Sequence, residues 1–297
     1  MQDMSYIVRG VRIVMGTFVA ETVVHPHPDE AKRALCATFD EIERINDLMS
    51  IHRENSEVNV LNRNGFYRGI STDTKCVLER AHYLSELSDG AFDVTILPIL
   101  RLWERSACIG KVPTDAEIRR ALELVNYQNI AVENSYIKFR KAGMGITMAG
   151  VAKGYAVDKA IEALKRGNIK HALVNAGGDI RVIGGKTETV PWRIAIRDPR
   201  NKTRIVTCIE LREQAIATSG TYQRFFSDII NPRIGRPSQG LLSSTIIAQK
   251  AIDADILSTC VFILGAERGI EFLGRLDGVK ALLITRDGDI LNYPERA

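Results

Sequence analysis

The sequence predicts an α+β fold: one domain covering 1–297, with mixed or antiparallel sheets and packed helices in two intimately joined lobes. Three observations lead there. Stretches with helical spacing of apolar residues alternate with short stretches rich in Val, Ile and Thr. The strand-like stretches come in hairpin-like pairs around glycine turns, which favours antiparallel pairing. No low-complexity linker or internal repeat interrupts the 297 residues, of which 45% are hydrophobic and 26% charged, an ordinary globular composition.

Residues 6 to 24 read as two β segments broken at Met15-Gly16-Thr17. From Asp29 to Leu48, apolar positions 31, 35, 39, 42 and 45 share a helical face, with Asp29 placed to cap the start. A polar stretch from Asn55 to Asn64 precedes a second helix carrying Val77, Ala81, Leu84 and Leu87 on one face and stopping at Asp89-Gly90. A third, capped by Thr114, runs from about Asp115 to Val125. Short strands surround Ile130 to Phe139, and Ile146 leads into a fourth helix starting near Ala152. The second half continues with strands Ala172 to Asn175 and Ile180 to Ile183 around Ala176-Gly177-Gly178-Asp179, then Trp192 to Arg197 and Arg204 to Leu211. After a loop-rich stretch from Asp228 to Gly240 come a strand, Ser244 to Gln249, helices over Ala254 to Leu264 and Glu267 to Leu276, and a closing strand, Ala281 to Thr285.

Lys and Arg exceed Asp and Glu by 40 to 36 and are scattered, which argues against a nucleic-acid surface. The five cysteines form no C-x-x-C pair and sit mostly in apolar stretches, so buried reduced thiols are expected. No apolar run approaches the roughly 20 residues of a membrane span, and the N-terminus lacks a charged-then-apolar signal pattern. The chain as given reads as soluble, its compartment open between the cytoplasm and a trimmed exported form.

Five segments could carry chemistry, each with a plainer structural reading. Residues 145 to 158 turn from a β segment through small residues into a helix, exposing N–H groups at a positive helix end that suits a phosphate; close strand–helix packing explains the same residues. The paired glycines of Asn175 to Asp179 permit close approach to a ligand or a plain tight hairpin. Asp255 and Thr259, four residues apart, stand one above the other on a helix and could bind one hard cation, or serve as a cap and a back-bonded hydroxyl. Gly90 to Thr95 is either a site loop or a helix stop. Thr218, Ser219, Gly220 and Thr221 could hydrogen-bond a phosphate or satisfy a turn.

In this order the five segments resemble the ApbE family of flavin transferases, the FAD:protein FMN transferases, from Met15 to Gly265. Met49-Ser50, Asn55 to Glu57, Asn62, Pro98, Leu102-Trp103, Ala152 to Asp158, and Pro232-Arg233 with Gly235 and Pro237 extend the match. The resemblance implies a T-fold-like architecture that binds FAD between its lobes and uses Mg²⁺ to cleave the diphosphate. FMN would pass to a Thr or Ser of an acceptor protein, with release of AMP. By resemblance, Asp255, Thr259 and the carbonyl of Gly150 are the metal ligands. The same resemblance implies that Met15, Met49, Ala91, Phe92, Asp93, Thr147, Lys153, Asp179, Ser219 and Gly220 line the FAD cleft.

The departures bear on activity. Where family members often read His-Ile-Ile-Asp-Pro, this chain reads Asp228-Ile229-Ile230-Asn231-Pro232, making Asp228 the candidate catalytic base; a carboxylate with an ordinary pKa of about 3.9 is a weaker base than imidazole. Acids expected before the glycine-rich turn and after Ser219-Gly220 are Thr147 and Thr221. Fewer negative charges favour a diphosphate and weaken metal binding. The alternatives to transfer are therefore FAD hydrolysis to FMN and AMP, or FAD binding without turnover.

Overall fold

The structure is a computed structural model describing residues 5–133, 135–220 and 229–294. Strands β1 (Tyr6–Val14) and β2 (Thr17–His25) form a hairpin whose two turn residues, Met15 and Gly16, have φ of 54° and 70°, the turn hand that matches strand twist. Helix α1 (Pro28–Met49) buries Ala31, Leu35, Phe39, Ile42 and Ile45 as the spacing predicts. Its cap position is His27, because Pro28 already starts the helix; Asp29 lies inside the first turn, where its charge faces the positive helix end. The stretch read as polar contains α2 (Glu57–Asn64), with Ser56 accepting from the Asn59 N–H at 3.0 Å and left-handed Gly65 ending it. Then follow β3 (Phe66–Arg68) and α3 (Thr72–Leu87), whose C-cap is Ser88, so that the helix ends just before the expected stop at Asp89-Gly90.

A 3₁₀ turn, Val94–Ile96, leads into an unpredicted α4 (Leu97–Cys108), in which Pro98 opens the helix rather than breaking it. Helix α5 (Asp115–Leu122) has the Thr114–Glu117 capping box and stops short of Val125. Strands β4 (Ile130–Glu133) and β5 (Tyr136–Phe139) join β3 in a small sheet of order β3-β5-β4. Next come α6 (Ala152–Arg166), β6 (His171–Ala176), β7 (Asp179–Ile183), β8 (Trp192–Asp198), β9 (Asn201–Leu211) and β10 (Ala215–Gly220). The chain continues through the short pair β11 (Ile230–Asn231) and β12 (Arg236–Pro237), then β13 (Leu241–Ala248), α7 (Ala251–Leu264), α8 (Ala266–Leu273), β14 (Lys280–Thr285) and β15 (Ile290–Tyr293).

An eight-stranded sheet of order β1-β2-β6-β7-β10-β13-β14-β15 organises the first lobe, and every neighbouring pair in it is antiparallel. One face packs against α1, α6 and α7 in the main core; the other is covered by the β8–β9 hairpin, which sets Trp192, Ile194 and Ile196 against Ile180, Val182 and Ile216. The second lobe closes around Ile99, Leu102, Trp103, Ile118 and Ile230, where Trp103 Nε1 donates to the Gly235 carbonyl at 2.8 Å. The cysteines correct the expectation of burial: Cys36, Cys76, Cys108 and Cys208 are exposed and only Cys260 is buried. An apolar neighbour in sequence, such as Leu35 beside Cys36, points about 100° away around a helix. No helix among the described residues is long and apolar enough to cross a membrane.

Candidate functional site

Two helices begin side by side, and each lacks a side-chain cap of its own. Each supplies the other's. Asp255 of α7 accepts the N–H of Gly154 in the first turn of α6 at 3.1 Å. Asp158 of α6 accepts the N–H groups of Ala251 and Ile252 in the first turn of α7 at 2.9 and 3.0 Å, while Arg181 Nη1 donates to it at 2.6 Å. First-turn N–H groups have no partner within their own helix, so these carboxylates satisfy donors that burial would otherwise orphan. Contact this close requires glycine: a Cβ on Gly154 would lie 2.4 Å from the Ala251 carbonyl oxygen and 2.8 Å from Asp255 Cβ.

The turn before α6 is tied down by the Thr147 N–H donating to the Val94 carbonyl at 2.8 Å, and the Thr147 hydroxyl accepts from the Ala149 N–H at 3.3 Å. Gly150 brings this turn up to α7; a Cβ there would stand 3.0 Å from the Phe92 ring and 3.6 Å from Thr259 Oγ1. Thus Gly150, in the turn before α6, lies beside Thr259 of α7, the helix that also carries Asp255 one turn earlier. Beside them Lys153 is ion-paired with Asp179. Burial opposes charge on Lys153, yet the carboxylates of Asp255 and Asp179 hold its ammonium above the ordinary lysine range. Burial, then the charge of Asp179, pushes the Asp255 carboxyl up against the opposing pull of Lys153 and the Gly154 N–H. Two buried carboxylates against one ammonium leave a site that favours a further cation.

A cavity of about 450 Å³ opens over this group, lined by Ala91, Phe92, Asp93, Thr147, Gly150, Lys153, Ser219, Gly220 and Thr259. A second, of about 580 Å³, is lined by Met15, Met49, Thr147 and Lys153. The two share Thr147, Ala149 and Lys153. A larger groove of about 790 Å³ between α3 and β4 carries none of the candidate site residues. Eleven of the candidates line one or both cavities; Asp179 and Asp255 line neither and are reached through Lys153 and the Gly154 N–H, and Asp228 lies outside the described residues, as does Thr221. Asp93 rims the cavity with both oxygens already engaged: Oδ1 accepts from the Thr95 N–H and hydroxyl at 2.7 and 2.6 Å, Oδ2 from the Tyr127 N–H at 3.0 Å.

Ser258, Ile230, Pro232 and Ile263 were not among the expected site residues. Ile230, Pro232 and Ile263 wall the first cavity, and the Ser258 hydroxyl lies 2.7 Å from that of Ser219. Their place in the Ser258-Thr259 and Ile230-Asn231-Pro232 segments was the available signal. No group of three or more His, Cys, Asp or Glu suited to a metal occurs among the described residues. The donors present are one carboxylate, one hydroxyl and one carbonyl, all hard oxygens, which fit a cation that keeps several waters, such as Mg²⁺.

The sequence profile of the ApbE family matches residues 15–283. The FAD:protein FMN transferase of Vibrio cholerae is 32% identical over 261 residues, covering 84% of this chain and 78% of that protein; that of Klebsiella pneumoniae is 28% identical over 272 residues, covering 87% and 84%. Among solved structures, the flavin transferase ApbE from Vibrio cholerae superposes with a TM-score of 0.88 at 30% identity, covering 98% of this chain and 97% of that one. The ApbE protein of Thermotoga maritima gives 0.87 at 31%, with the same coverage. The profile match, relatives above 30% identity and a shared architecture over nearly the full length agree, and this chain is a member of the ApbE family.

Proposed function

We propose that the chain is an Mg²⁺-dependent FAD:protein FMN transferase, which moves FMN from FAD to a Thr or Ser of an acceptor protein and releases AMP. The observation that carries this reading is that the two cavities share Thr147, Ala149 and Lys153 in their walls, with Thr259 lining the first cavity and Asp255 behind the wall, accepting from the N–H of Gly154 next to Lys153. A dinucleotide can lay one ring system in each cavity, with its diphosphate at those shared residues. There Lys153, kept protonated by Asp179 and Asp255, attracts the phosphates. Phe92, Ile230 and Pro232 offer one ring system an apolar wall, and Met15 and Met49 offer the other theirs.

Asp255, Thr259 and the Gly150 carbonyl would hold Mg²⁺, which when bound neutralises charge developing on the diphosphate as AMP leaves. Asp228, in the position of the family histidine, would take the proton of the acceptor hydroxyl. A second reading, FAD binding without turnover, is favoured by that same replacement together with Thr147 and Thr221.

The purified chain incubated with FAD and Mg²⁺, with and without a Thr-bearing acceptor domain, separates these readings. Transfer yields AMP matched by covalent flavin on the acceptor, and Asp255→Ala abolishes both. AMP without acceptor would mean hydrolysis, and bound FAD that stays intact would mean that only binding remains. Labelling by Asp255→Ala at the unmodified rate would refute the metal assignment.

A further inference from the structure

We propose that Ser258 and Ser219 are positioning residues: through a hydrogen-bond chain of fixed direction they turn the Thr259 hydroxyl so that it offers a lone pair, not a hydrogen, to the site. The inference rests on the metal reading above and extends it to residues outside the ligand set.

Three contacts link four oxygens. Ser258 Oγ is 2.9 Å from the Asp255 carbonyl oxygen, Ser219 Oγ is 2.7 Å from Ser258 Oγ, and Thr259 Oγ1 is 3.1 Å from Ser219 Oγ. A carbonyl only accepts and a hydroxyl carries one hydrogen. Ser258 therefore donates to Asp255, Ser219 must donate to Ser258, and Thr259 must donate to Ser219. No other assignment makes all three contacts hydrogen bonds. The chain is anchored on rigid structure: Ser258 is buried on α7, and Ser219 sits on β10 in register with Ser244 of β13.

The consequence is chemical. Ser219 and Thr259 both line the cavity, yet both hydrogens point into the protein. Lone pairs facing outward attract a hard cation and repel a phosphate oxygen. The hydroxyls at the end of β10 thus serve the metal side of the site rather than cradling a phosphate as donors, and they do so without touching the reacting groups themselves. Removing Ser258 leaves Ser219 free to donate to Thr259, whose own hydrogen then turns toward the cavity.

The test uses the full chain with ADP, a diphosphate that cannot transfer a flavin, and Mn²⁺ followed by electron paramagnetic resonance as a stand-in for Mg²⁺. Ser258→Ala and Ser219→Ala are each expected to weaken Mn²⁺ binding by roughly three- to tenfold, with ADP affinity in chelator unchanged in Ser258→Ala. The double variant is expected to be no weaker than either single one, because both break one chain. Mn²⁺ affinity unaltered in Ser258→Ala, or additive losses in the double variant, would overturn the proposal. So would an equal loss of ADP affinity in chelator, which would make the hydroxyls phosphate donors. Asp255→Asn locates the fault: if it too binds Mn²⁺ normally, the metal assignment itself has failed; if it abolishes binding while Ser258→Ala does not, only the hydrogen-bond chain has.

Discussion

Glu21 lies on the core face of β2 with 1% of its surface exposed, and its partner is the Thr38 hydroxyl. That hydroxyl also lies 2.8 Å from the Leu35 carbonyl, which can only accept. Both contacts are hydrogen bonds if Glu21 holds the proton and donates to Thr38, while Thr38 donates to Leu35. Burial correspondingly pushes the carboxyl up from 4.5 to about 7. A carboxyl raised in the folded state binds its proton more tightly there than in the unfolded chain. Its stabilisation is therefore complete below 4.5 and is lost as pH rises through about 7, an effect on the order of 3 kcal/mol. Urea midpoints measured from about pH 5 to about pH 8 should fall for the native chain, and Glu21→Gln should remove most of that slope. A slope that survives Glu21→Gln would place the titration elsewhere. None of this is legible in Val19-Ala20-Glu21-Thr22-Val23, because alternation alone leaves open which face is the buried one.

Reciprocal capping of α6 and α7 holds the metal-ligand candidates in place. Asp158 keeps a buried charge paired with Arg181 while closing the start of α7. Burial pushes its carboxyl up, against the pull of Arg181. Asp158→Ala removes one member of that pair and orphans two N–H groups, so a loss of about 3 to 5 kcal/mol is expected in chemical denaturation. Asp158→Asn should lose less, since its side-chain oxygen still accepts. Equal stability for the native chain and Asp158→Ala would show that α7 is held by packing alone. The long helices α1, α3, α6 and α7 were readable because each repeats apolar residues at helical spacing over three or more turns. Two others were not. Helix α2 offers only Val58 and Leu61 as buried apolar residues among asparagines, and α4, which opens with Pro98, lay in a stretch to which no element was assigned.

At the scale of the molecule, the main core runs from β1 and α1 through α3, α6 and α7 to β14, so residues far apart in sequence share one buried cluster. We propose that the chain behaves as one domain, and thermal unfolding followed by calorimetry should show a single cooperative transition; two resolved transitions would mean that the α4–α5 lobe melts independently. The ordered segments from Met15 to Gly265 determined family, fold class and the residue types of the candidate site, because turn glycines, helix-face spacing and short polar motifs act locally. Tertiary structure alone decided the rest. It set Lys153 in the wall of both cavities, Asp158 on the start of α7 and Asp255 on that of α6, and linked Ser219 to Ser258 and Thr259. Those contacts span tens of residues to about a hundred, and they depend on how a buried donor finds an acceptor across two packed elements, a pairing that no local pattern encodes.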